Sequence, residues 1–249
     1  TAGAGTTGRT GNISKEMKKK NTLEIHELTK QYAKGTGISR ISFTVNAGEI
    51  VALIGPNGAG KTTLMKAVGG LCRLSGGEAL LNNVPTFQCR ENLGFMQEAL
   101  DFYEKMTVYE ALDFLCAVKF RGGCREEIDH YLKAYQLFEQ RNLRISRLSL
   151  GMKRKLSLIM ALMGDCPLLL LDEPTNGIDT AGLIQLKRDL LRRRDQNGIT
   201  LFTSHVLDWA EHVCSRCIFL KTGEIAADCR MEEMHPPLEK LYENLYFID

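Results

Sequence analysis

The chain has 249 residues, 44% of them hydrophobic and 25% charged, with a formal net charge of +2. That is the composition of a globular protein able to build its own core. So small a charge excludes nucleic-acid binding through bulk positive charge. No apolar run approaches the roughly 18–20 residues that span a bilayer, so any membrane work is expected of another chain.

Residues 1–16 are rich in Gly, Thr and Ala and too poor in large apolar side chains to offset the entropy of ordering them. A disordered tail is expected over 1–21, with a natural start at Met17 and a single domain over 22–249. Leu23, Ile25 and Leu28, then Ile41, Phe43 and Val45, alternate as strands do. The apolar run Ile50–Ile54 leads into Gly55-Pro-Asn-Gly-Ala-Gly-Lys-Thr62 and a helix-like continuation from Thr63. This is a phosphate-binding loop in its required strand–loop–helix setting. Gly55, Gly58 and Gly60 let successive N–H groups turn inward around a polyphosphate, and the helix start adds partial positive charge. Lys61 can reach the β- and γ-phosphates and Thr62 can hold Mg²⁺. Asn57 and Thr63 complete the expected contacts. The chain is expected to bind a nucleoside triphosphate.

Gly76-Gly77 reads as a turn before a short strand, Ala79–Leu81. Val108, Leu112, Leu115 and Val118 then recur at helical spacing, as do Tyr131, Tyr135 and Phe138, with Gly122-Gly123 between the two helices. This is a helical block inserted in a mixed core. The core resumes with Leu168–Leu171, uniformly apolar as a central parallel strand is. A charged helix, Leu186–Arg194, precedes a strand over Ile199–Ser204. The basic run Arg192–Arg194 reads as a solvated helix face. Alternating strands and helices indicate an α/β fold with a mainly parallel sheet. Eight scattered cysteines, without a secretion signal, suit a reduced intracellular pool. Cys214-Ser-Arg-Cys217 has redox or metal spacing, but no further ligand completes a set, and it reads as structural.

Asp172 and Glu173 follow the four leucines directly. A carboxylate at that strand end can hold Mg²⁺ through its waters, the task expected of Asp172. Glu173 can orient and deprotonate an attacking water. Two adjacent acids with opposite tasks favour hydrolysis over transfer to an acceptor, which weighs against a nucleotide kinase. Leu148-Ser-Leu-Gly-Met-Lys153 heads a helix with Met152, Leu156, Ile159 and Met163 on its apolar face. By itself this segment is only a helix start capped by Ser149.

Taken with the phosphate loop, these residues resemble the ATP-binding subunits of ABC transporters over about Leu23 to Ala227. The form Leu-Ser-Leu-Gly-Met-Lys is similar to the drug- and antibiotic-peptide-exporter branch. Leu150 and Met152 depart from the family's Leu-Ser-Gly-Gly-Gln, whereas Ser149 and Gly151 match. The resemblance implies a P-loop NTPase core (about 22–97 and 156–230), an N-terminal antiparallel β subdomain, a helical subdomain (about 98–155) and a terminal helix (about 236–249). It implies ATP and Mg²⁺ as cofactors, with Tyr32 stacking on adenine and Gln97 contacting metal and attacking water. His205 becomes the switch histidine beside the γ-phosphate, and Asn176–Asp179 the loop whose Asp179 joins the ATP site. Ser149 and Gly151 would face ATP held by a second, identical subunit. An integral-membrane permease is the implied partner, with the chain peripheral on the cytoplasmic face of the cell membrane and export as its work. A soluble ABC ATPase unconnected with transport, for instance in cofactor-cluster assembly, stays open as the alternative.

Overall fold

The computed structural model describes residues 21–32, 35–98, 102–119, 124–164, 166–234 and 236–247. The tail expected over 1–21 lies, but for Asn21, outside them, as does the Gly122-Gly123 break. Alternation puts Leu23 and Ile25 of β1 (Thr22–Gln31) and Ile41, Phe43 and Val45 of β2 (Gly37–Asn46) on one buried face, and a register shift in β1 brings Leu28 onto it. The two strands pair antiparallel, Leu23 opposite Val45 and Ile25 opposite Phe43. With β4 (Gly76–Leu81) and β5 (Val84–Pro85) they form a sheet in the order β2-β1-β4-β5.

Gly76 and Gly77 are not the turn that their composition suggests, for they open β4. Across from them the β1 register shifts between His26 and Thr29, and Glu27 has a φ of 47°. A Cβ on Gly77 would stand 2.3 Å from the carbonyl oxygens of both His26 and Glu27. A bulge in β1 presses on β4 at this point, and only glycine fits beneath it.

The second sheet has the order β10-β9-β3-β8-β7-β6. In it β3 (Ile50–Ile54), β6 (Leu93–Met96), β7 (Leu168–Leu171), β8 (Ile199–Thr203) and β9 (Arg216–Lys221) run parallel, and β10 (Glu224–Arg230) is antiparallel to β9. Every residue of β3, β7 and β8 is buried, because layers cover both faces. Val51 and Leu53 of β3 pack with α1 (Lys61–Val68) and the antiparallel sheet. Ala52 and Ile54 pack into the opposite layer with the remaining helices. The mixed α/β fold with one antiparallel and one mainly parallel sheet is thus the observed one.

That opposite layer holds α2 (Val108–Lys119), α3 (Arg125–Ala134), α4 (Leu150–Leu162) and α5 (Thr180–Asp195). The buried stripe of α2 is Val108, Ala111, Leu112 and Cys116, and Val118 is exposed. α5 begins six residues before the expected Leu186, since Asp179 Oδ1 accepts the Gly182 N–H at 2.9 Å and caps it. Of the run Arg192–Arg194, expected as a solvated face, Arg192 and Arg194 are exposed but Arg193 is not. Arg193 is buried and donates to the Cys166 carbonyl, while Arg192 pairs with buried Asp189 at 3.1 Å. α6 (Leu207–Glu211) packs with α7 (Leu238–Tyr246), whose Tyr246 hydroxyl donates to the Leu220 carbonyl at 2.8 Å. All eight cysteines are free thiols. Cys214 and Cys217 are buried, sulfurs 3.3 Å apart, and no His, Cys, Asp or Glu cluster among the described residues could hold a metal on its own. Among those residues no helix is long and apolar enough to cross a membrane.

Candidate active site

Parallel strands deliver their C-terminal ends to one edge of the sheet. The phosphate loop follows β3, Gln97 and Glu98 follow β6, Asp172 and Glu173 follow β7, and Ser204 and His205 follow β8. These residues, far apart in the chain, converge for that reason.

The loop's glycines are required for two different reasons. A Cβ on Gly55 would stand 2.5 Å from the Leu220 carbonyl oxygen, so the backbone there is in close contact with β9. Gly60 has a φ of 104° and would press a Cβ to 2.8 Å from Ile38 Cγ2. Gly58, at φ 81°, faces open space. Lys61 opens α1 with its side chain turned back into the loop, Nζ donating to the carbonyls of Gly55 at 2.7 Å and Pro56 at 3.2 Å. Burial lowers its pKa, and Glu173, Asp172 and Glu98 oppose that shift.

The acid pair is almost fully buried. The Asp172 N–H donates to the Met96 carbonyl at 2.9 Å, tying β7 to β6, and Asp172 Oδ1 accepts from the Thr203 hydroxyl at 2.8 Å. Glu173 has a φ of 52°. Its carboxylate oxygens lack a hydrogen bond of good geometry, although His205 Nε2 lies 3.1 Å from Oε1. Burial raises the Glu173 pKa against the pull of the Lys61 ammonium, with Asp172 adding to the rise. Burial, with Lys61, lowers that of His205, favouring the neutral ring at neutral pH.

A cavity of about 450 Å³ opens above these groups. Of the expected residues, Tyr32, Asn57, Gly58, Gly60, Lys61, Thr62, Thr63, Glu173 and His205 line it. Gly55 and Asp172 lie behind that lining, and partly buried Gln97 yields its place to Glu98. Ser149, Gly151 and Asp179 are elsewhere. Ser149 is exposed and caps α4, Oγ accepting the Met152 N–H at 3.2 Å. Asp179 spends both carboxylate oxygens on neighbours, Oδ1 on Gly182 and Oδ2 on Lys155 at 2.7 Å. Its expected place at the nucleotide is therefore not what this single chain presents. Thr36, Gly37 and Glu98 line the cavity without having been singled out. Glu98 adjoins Gln97 and had a signal in that position; the β1–β2 hairpin residues had none.

The donor set suits a magnesium nucleotide. The phosphate loop and a buried ammonium face a cavity lined by buried Glu173, whose two carboxylate oxygens lack a well-formed hydrogen bond, with buried Asp172 behind it. These features suit a phosphate-loop nucleotide hydrolase. The family profile described as ABC transporter matches residues 38–176. The uncharacterized ABC transporter ATP-binding protein YxlF of Bacillus subtilis is 35% identical over 85% of this chain and 72% of its own length. The bacitracin transport ATP-binding protein BcrA of Enterococcus faecalis is 33% identical over 89% and 73%. A solved ATP-binding subunit of an ABC transporter superposes with a TM-score of 0.84 at 25% identity, covering 90% of this chain and 98% of that one. The chain belongs to the ABC transporter family, as an ATP-binding, ATP-hydrolysing subunit.

Proposed function

We propose that the chain is the motor of an exporter and hydrolyses ATP at a site shared between two copies of itself. The observation that carries this reading is a separation. The cavity holds cradle, ammonium and base, whereas Ser149 and Leu150 at the head of α4 are exposed and outside it. Ser149 caps its helix through an oxygen lone pair, so its hydroxyl proton is available to a phosphate brought by another copy. The positive N-terminus of α4 favours the same ligand.

In this arrangement Tyr32 stacks on the adenine, and the loop N–H groups with Lys61 and Thr63 hold the phosphates. Lys61 releases the Gly55 and Pro56 carbonyls to do so. Thr62, Gln97 and Asp172 would hold Mg²⁺, which when bound offsets phosphate charge. Glu173 accepts a proton from the attacking water, and His205, neutral, bridges Glu173 and the γ-phosphate side. ATP favours the closed pair because only the triphosphate touches both copies, and phosphate loss removes that preference.

The membrane-crossing part belongs to a permease, with this chain on the cytoplasmic face. Domain limits of about 22–97 and 156–230 for the core and 98–155 for the helical arm suit that division of labour. Beside the core an apolar groove of about 550 Å³, lined by exposed Leu71 and Phe87, is suited to seat a short permease helix. Export is supported by the Leu-Ser-Leu-Gly-Met-Lys form and by the bacitracin-transport relative.

The test is the dependence of specific ATPase activity on protein concentration. Activity per molecule should rise through the low micromolar range, and Glu173→Gln loaded with ATP should migrate as a dimer. A verified monomer with flat, concentration-independent activity would overturn the shared site.

A further inference from the structure

Thr203 ends β8, between β3 and β7, and is fully buried. Its hydroxyl makes two short hydrogen bonds, both to the acid pair. Oγ1 accepts the Glu173 backbone N–H at 2.7 Å and donates to Asp172 Oδ1 at 2.8 Å. A hydroxyl has a single proton. With one side facing an N–H, that proton goes to the carboxylate, and the direction of both bonds is determined. Thr200, on the same strand, is as deeply buried, yet its Oγ1 has no protein partner. Burial on β8 does not by itself produce such bonds.

Each bond constrains one acid. Asp172 commits Oδ1 to Thr203, which sets the rotation of its carboxylate and leaves Oδ2 as the uncommitted oxygen. Glu173 occupies a left-handed backbone conformation that a non-glycine residue adopts at a cost. The bond from its N–H to Thr203, with the Asn176 N–H donating to its carbonyl at 3.2 Å, holds it there. A free side chain on a strained backbone would lose its aim if either anchor failed.

We propose that Thr203 is a positioning residue for hydrolysis, one hydroxyl aiming both the metal-side acid and the water-activating acid. It acts through Asp172 and Glu173 and touches neither nucleotide nor water. The inference rests on the reading of Glu173 as the base.

Thr203→Val keeps the shape and removes both bonds, Thr203→Ser keeps the hydroxyl, and Thr200→Val controls for loss of a buried hydroxyl on β8. Steady-state hydrolysis and ATP affinity are measured separately on the full chain, the latter by titration with a fluorescent ATP analogue. T203V should lower kcat by about 10–100-fold, the usual effect of losing a group that orients a site's ligands. Its nucleotide affinity should stay within about twofold, since the lost interaction acts on the chemical step. T203S should recover most of the rate, and T200V should match the wild type in both. If T203V does not fold, Thr203→Cys, of similar size with a weaker donor, serves the same comparison. Wild-type kcat in T203V, with Glu173→Gln inactive, overturns this inference alone. Equal losses in T203S and T203V would assign the effect to packing and overturn it too. Full turnover in Glu173→Gln would instead remove the underlying assignment of the base.

Discussion

The Lys155 ammonium lies 2.7 Å from the Asp179 carboxylate and joins the second turn of α4 to the residue that caps α5. The two segments also touch through their backbones, since a Cβ on Gly151 would stand 3.0 Å from the Gly177 carbonyl oxygen. The exposed Ser149 turn and the loop before α5 therefore form one unit. Asp179 is more than half exposed, so the ion pair itself contributes less than about 1 kcal/mol. Capping is the larger part. Asp179→Asn should behave like Lys155→Met in urea unfolding, with a loss below about 1 kcal/mol. Asp179→Ala should lose about 1 kcal/mol more. Equal midpoints for the Asn and Ala variants would show that the cap contributes nothing.

A second attachment joins α3 to α5. The Tyr135 hydroxyl, fully buried, donates to Asp189 Oδ2 at 2.9 Å, and Arg192 holds the other oxygen at 3.1 Å. Without the Tyr135 hydroxyl, Oδ2 of this buried carboxylate keeps only the longer bond from Gln185 Nε2, at 3.2 Å. Tyr135→Phe should therefore destabilise the fold by about 1.5–3 kcal/mol while ATP affinity stays unchanged. Denaturant unfolding alongside a nucleotide titration checks both. A weakened affinity with unchanged stability would contradict the structural role.

Much of this was legible in the sequence where local chemistry decides the outcome. Four consecutive leucines can only be a doubly covered strand here, and the acids that follow must then stand at its end. The phosphate loop carries its own geometry in Gly58 and Gly60. Legibility ended where a partner distant in the chain decides. Nothing around Thr203 announces that β8 runs beside β7 and brings its hydroxyl to Asp172. Gly76-Gly77 resembled a turn because the β1 bulge that demands glycine lies some 50 residues away. Arg193 resembled a surface charge because the Cys166 carbonyl that binds it belongs to another loop. Asp179 was expected at the nucleotide, and in the single chain helix capping and Lys155 occupy its oxygens.

Lys61 offers a test of the cradle that does not depend on a second copy. Its ammonium is buried and satisfied by two carbonyls of its own loop, so binding a triphosphate exchanges those bonds for charge-assisted ones. Such bonds contribute roughly 1.5–3 kcal/mol each, and about 1.4 kcal/mol is a factor of ten in affinity. Lys61→Ala should bind ATP about 10–100-fold more weakly in equilibrium titration. Wild-type affinity would remove Lys61 from the site.

Glu173 links activity, stability and pH. Its buried carboxyl is pushed above the ordinary glutamate value of 4.5, chiefly by loss of solvation. Because the base acts when ionised, turnover should rise with pH through a range above the usual carboxylate one. Stability moves in the other direction. The folded chain retains this proton at a pH where the unfolded chain has released it, so as pH climbs from the ordinary glutamate value through the folded one, stability is lost. Above that window the deficit persists in full. Glu173→Gln carries no titrating group and escapes it, so at neutral pH the variant should be more stable by about 0.5–2 kcal/mol while nearly inactive. The gap should narrow as pH is lowered toward the ordinary glutamate range, where both states of the wild type are protonated. Thermal melts of the two proteins across pH 5–8, each in the same buffer series, read the difference directly. A gap that is absent, or that widens on acidification, would mean that the carboxylate is solvated in the free protein and that its pKa is not raised.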